Sequence, residues 1–123
     1  MLRIALYIFL LLIAFDAIWL YIRSDYHARF FANVQKSPIV VRWIPAILVY
    51  SILAGALSTT ILHARSPRDA ALRGALAGAA FYGFYDATNL ATLTGWTWEM
   101  AIIDTLWGAF ACSAVSYIIY MYK

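Results

Sequence analysis

The sequence predicts an all-α, polytopic integral membrane protein: a single domain over residues 1–123, built as a four-transmembrane-helix bundle with an amphipathic or extended segment between helices 1 and 2. Three observations carry this. Of 123 residues, 65% are hydrophobic and 12% charged, against roughly 45–50% and about 25% in soluble chains. Four apolar stretches, residues 4–22, 43–62, 70–93 and 100–121, approach or exceed the about 20 residues a helix needs to cross roughly 30 Å of hydrocarbon. The formal net charge of +3 comes from nine scattered Lys and Arg residues and reads as membrane-flanking charge. A soluble fold is excluded, and so are disorder and nucleic-acid binding, which require low hydrophobicity or a clustered basic face. The partner is the lipid bilayer.

The first stretch is too long for a signal-peptide core. It contains Asp16 and ends in Trp19-Leu20-Tyr21-Ile22 without a small-residue cleavage site, so it is expected to stay attached. The connection over 23–42 alternates Arg23, Asp25, Arg29, Lys36 and Arg42 with Tyr26, Phe30, Phe31 and Val34. It reads as an interfacial amphipathic helix or a water-exposed extension of helix 1, stopped near Ser37-Pro38 and serving as anchor or lid. His27 is expected on its surface. The second stretch carries Ser51, Gly55, Ser58 and Thr59 on one face and ends at His63, a cationic C-terminal cap.

The third helix has the clearest start, because Ser66 supplies an N-cap hydroxyl, Pro67 sits at N1 and Asp69 at N3. Gly95 is a candidate C′ residue for it, and Thr97 a candidate N-cap for the fourth helix, with Glu99 in its first turn. So short a turn makes these helices antiparallel neighbours. The lone Cys112 excludes an intrachain disulfide and reads as a small buried hydrophobe. Trp43, Trp96, Trp98, Tyr117, Tyr120 and Tyr122 read as interfacial belt. Four crossings put Arg3, Arg65, Arg68, Arg73 and Lys123 on one side, and Arg23, Arg29, Lys36 and Arg42 on the other. That balance of five to four favours cytoplasmic N- and C-termini and also permits dual insertion, as in a homodimer of antiparallel copies.

Asp16, Asp86 and Asp104 lie inside the spans, where each costs about 2.5–3.5 kcal/mol on insertion scales. At 1.5 Å per residue, all three fall roughly 9–12 Å along their helices from one membrane face, so they can share a layer. On the third helix, Gly74, Gly78, Tyr82, Tyr85, Asp86, Asn89 and Thr92 occupy about a 120° arc, a small and polar face expected to point inward. Asp104 shares a face with Gly108 and Ala111. A local repeat, Asp16-x-x-Trp19 and Asp104-x-x-Trp107 with Asp86-x-x-Asn89 at the same offset, sets an N–H donor beside each acid, available to its own or the adjacent helix. The candidate pocket or ion-binding set is therefore Asp16, Asp86, Asp104, Asn89, Trp19, Trp107, Tyr82 and Tyr85. The alternative is that these acids are interhelical glue, with Arg23 as counter-ion.

The run Tyr85-Asp86-Ala87-Thr88-Asn89-Leu90-Ala91-Thr92, then Trp96 and Asp104-Thr105-Leu106-Trp107-Gly108, resembles a family of small predicted membrane proteins known as a domain of unknown function. Asp16-Ala17-Ile18-Trp19-Leu20, Tyr50 with Gly55, and Gly74-Ala75-Leu76-Ala77-Gly78 extend the resemblance over nearly the whole chain. It implies four membrane helices and a bacterial inner-membrane location, and it brings no activity, cofactor or catalytic residue. Three readings follow: a proton- or cation-linked transporter or ion-binding protein, a lipid-directed enzyme or enzyme subunit, and a structural partner of another membrane protein. The ligand would be a small ion or a lipid-like molecule. No Ser-His-Asp order, H-E-x-x-H, phosphate-binding glycine loop or T-V-G-Y-G filter occurs, so no familiar hydrolase or potassium-channel mechanism is indicated.

Overall fold

A computed structural model describes residues 2–37 and 42–123. Within them the chain is all-helical: α1 (Leu2–Ile22), α2 (Ser24–Gln35), α3 (Trp43–Leu62), α4 (Pro67–Thr92) and α5 (Trp98–Tyr122). Three of these, α1, α3 and α5, are long and apolar enough to cross a membrane. The third expected span, α4, is 26 residues long but carries Arg68, Asp69, Arg73, Asp86 and Asn89. Its length suffices to span, while its polar content keeps it outside that group.

The helix starts follow their local chemistry. Ser66 Oγ accepts the Asp69 N–H at 3.0 Å, and Thr97 Oγ1 accepts the Met100 N–H at 3.2 Å, so both expected N-caps are made. Asp69 reaches back to the Arg65 N–H at 2.9 Å and is joined by Arg73 Nε at 3.0 Å. Its carboxyl is held below the usual carboxylate range, first by that backbone N–H and then by Arg73. Gly95 does not terminate α4. The helix ends through the extended Leu93, and Gly95 instead leaves room for Val34 of α2, which a Cβ there would approach to 3.2 Å.

The 23–42 connection forms its own helix rather than extending α1. The backbone breaks at Arg23, and α2 ends at Lys36, whose φ of 62° is left-handed; Pro38 lies outside the described residues. Three layers stack along the bundle. At the end holding both chain termini, Ile8, Leu12, Leu53, Leu57, Ile61, Val115 and Ile119 form an apolar core. At the opposite end, Tyr26, Phe30, Phe31 and Val34 of α2 pack onto Trp96, Met100 and Ala101. The polar residues of α1, α3, α4 and α5 lie between them.

Helices α4 and α5 make the most extensive contact in the molecule. Backbone approach at glycine explains it: a Cβ on Gly74 would collide with Ser116 and the Cys112 carbonyl, one on Gly78 with the Gly108 carbonyl, and one on Gly108 with the Tyr82 ring. This is the close seam that small residues permit between membrane helices. The small-residue face expected on α3 is different, since a Cβ on Gly55 would meet nothing within 4 Å.

Candidate functional site

Asp16 is buried at the centre of the bundle and collects donors from three other helices. Trp107 Nε1 of α5 donates to Oδ1 at 2.8 Å. Tyr82 of α4 donates to Oδ2 at 3.1 Å, and the Tyr50 hydroxyl of α3 donates to the same oxygen. Each of the four long helices thus contributes to one carboxylate. The indole of Trp107 bonds the acid of a neighbouring helix rather than Asp104 on its own. Trp19 stacks on Trp107 at 4.6 Å with rings 7° from parallel, and its indole nitrogen is buried without a hydrogen-bond partner. Tyr50 is absent from the sequence-derived site, because one tyrosine in an apolar helix looks the same whether it faces a carboxylate or the lipid interface.

Arg23 is not the counter-ion of Asp16. Its guanidinium lies over the rings of Tyr26 at 4.3 Å and Trp19 at 5.2 Å, which places it on the aromatic layer. His27, expected at the surface, is buried, with Nδ1 3.1 Å from the Arg23 carbonyl and its ring stacked on Phe31.

Asp86 has the opposite environment. Only 1% of it is accessible, yet neither carboxylate oxygen has a hydrogen-bond partner. Its polar neighbours are the Asp104 carboxyl across the α4–α5 seam and the Trp96 indole, whose nitrogen is likewise buried and unsatisfied. Trp96 is no belt residue: it is 6% exposed, wedged edge-on against Phe30 at 5.1 Å, Phe31 at 5.5 Å and Tyr85 at 5.8 Å. Tyr85 in turn has Asp104 and Asn89 beside it. Trp43, Trp98 and Tyr122 are largely exposed, as belt residues are.

The three acids therefore resolve into one satisfied carboxylate, Asp16, and one carboxyl pair, Asp86 with Asp104. Tyr50 bonds Asp16 and also lies within electrostatic range of Asp104. Among the described residues, no three His, Cys, Asp or Glu side chains come together as a metal-holding group. Asp86 also lines a cleft of about 270 Å³ between α4 and α5, whose other walls include Ala87, Leu90, Ala101, Thr105 and Leu106. Two adjoining carboxyl groups are costly to keep ionised out of water, and the Trp96 indole is a donor at hand beside Asp86. Comparison with curated proteins and with solved structures gives no match. Residues 1–121 match the family described as "Predicted membrane protein (DUF2177)", and the chain belongs to that family of membrane proteins of unknown function.

Proposed function

We propose that this is a four-span membrane protein, with α4 as the fourth crossing, that binds and passes a proton at the Asp86–Asp104 pair. The observation that carries the reading is a carboxylate 1% exposed with both oxygens unsatisfied, adjoining a second carboxyl. One proton held between the two groups removes the like-charge repulsion and supplies the missing donor at once. A pair rather than a three-ligand cluster favours a proton over a divalent ion, which usually takes more oxygen ligands. Satisfied by three donors, Asp16 acts as the framework that holds α1, α3, α4 and α5 around the pair.

The crossing of α4 is supported by its length and by its inward polar face. Asp86 is buried, while Leu72, Leu76, Phe81 and Phe84 of the same helix are exposed to the surroundings. Termini in the cytoplasm of a bacterial inner membrane accord with the five-to-four distribution of basic residues.

The test is reconstitution in liposomes of wild type, Asp86→Asn and Asp104→Asn, with an internal pH-sensitive dye and infrared spectra of the carboxyl region. Wild type should carry protons and show a protonated-carboxyl band, and each variant should lose both while staying folded. Wild-type flux equal to that of empty liposomes, with a carboxyl band unchanged in Asp86→Asn, overturns the proposal. The lateral position of the cleft favours a second reading, in which an apolar molecule enters from the leaflet to meet the pair. Saturable protection of the carboxyl band by an added amphiphile would select that reading.

A further inference from the structure

A second groove lies at the opposite end of the bundle, where the start of α1 meets the end of α5. It encloses about 350 Å³, with Ile4, Leu11, Ile118 and Ile119 among its walls, and is rimmed by Arg3, Lys123, Tyr7 and Tyr122. Its lining joins aliphatic side chains to two cations and two phenols near the helix ends, the same pairing of apolar and polar parts that a phospholipid presents. Neither rim cation is in an ion pair among the described residues. Among the described residues the ion pair formed is Arg73 with Asp69, and Lys123 Nζ rests over the Tyr120 ring at 4.5 Å, leaving its ammonium donors free to face the interface. Arg65, Arg68 and Arg73 belong to the same end, because α4 starts where α5 finishes. A second copy of this chain, itself carrying a net charge of +3, would bring further cations to the rim. An anion with an apolar tail complements it.

We propose that this groove binds one anionic phospholipid, its phosphate held between Arg3 and Lys123 with the Tyr7 and Tyr122 hydroxyls as further donors, and one acyl chain lying along Ile4, Leu11 and Ile118. Long basic side chains at helix ends place their charge at headgroup level while their stems cover apolar surface, and basic pockets between membrane helices suit anionic headgroups. The site is independent of the carboxyl pair.

Native mass spectrometry of the full chain in micelles, titrated with phosphatidylglycerol or phosphatidylcholine, tests it. Wild type should retain one phosphatidylglycerol in preference to phosphatidylcholine. Arg3→Gln/Lys123→Gln should weaken that retention roughly 25-fold, about fivefold per cation, while Arg65→Gln/Arg68→Gln, which removes equal charge outside the groove, stays within about twofold. Leu10 also lines the groove, so Leu10→Trp keeps both cations but fills the groove and should also lose the lipid. Both rim cations are exposed, so unchanged thermal stability without lipid is expected for the double variants. Equal retention of the two lipids, or equal losses in the two double variants, overturns the proposal.

Discussion

Asp16 and Asp86 differ in what their removal should do. Asp16→Ala strands the donors of Tyr50, Tyr82 and Trp107, and at about 0.6 kcal/mol per membrane hydrogen bond the loss is roughly 2 kcal/mol, rising where a donor stays buried and unpaired. Denaturant titration in mixed micelles reads this directly. Asp16→Asn should lose less, since its carbonyl can still serve Trp107 while its amide faces tyrosine hydroxyls able to accept. Asp86→Asn should leave unfolding almost unchanged, because a side-chain amide both accepts and donates and can take the place of a protonated carboxyl beside Asp104. Asp16, Asp86 and Asp104 stood out in the sequence, because a carboxylate in an apolar stretch is conspicuous, whereas the separation of Asp16 from the other two was not legible. Tyr50 and Trp96 did not stand out, since an aromatic residue gives the same hydropathy signal in a belt, against a carboxylate or under a lid.

The helix pair α4–α5 carries the most rigid constraint among the elements. Gly78→Leu drives a branched side chain into the Gly108 carbonyl and Cys112 and should abolish folding or assembly. Leu76→Phe, at a position 73% exposed, should stay within about 0.5 kcal/mol, as surface changes do. Gly55→Ala should be tolerated for the same geometric reason. Ser66→Ala should cost about 1 kcal/mol at the α4 start. Asp69 adds a pH dependence there: its folded-state pKa is depressed, so its stabilisation is present above the ordinary carboxylate range and lost as pH falls through the depressed value. Hydrogen exchange in the first turn of α4 should quicken on that acidification and be insensitive to it in Asp69→Asn. Helix starts at Ser66 and Thr97 were readable because a cap is a local interaction. The helical character of the 23–42 connection was readable too, but the choice between a separate helix and an extension of α1, and the role of Gly95, were not, since both depend on Val34 and the aromatic side chains meeting a turn some 60 residues away, the separation of Val34 and Gly95 in the chain.

The whole molecule is organised about one acid that no local segment can satisfy. If α4 crosses, reporters fused to the two ends must lie on the same side, and Arg65→Gln/Arg68→Gln, which turns the basic balance from five-to-four into three-to-four, should raise the fraction of inverted chains. The Asp16–Trp107 bond, whose partners stand 91 residues apart, has a further consequence for biogenesis. At about 5–20 residues per second, roughly 5–20 s of synthesis separate the two side chains, during which α1 has left the ribosome carrying an acid that lacks its α5 donor. Chains that stop after α3 can offer Asp16 only Tyr50, so truncated products should be retained at the insertion machinery or degraded, and release into the bilayer should await the last helix.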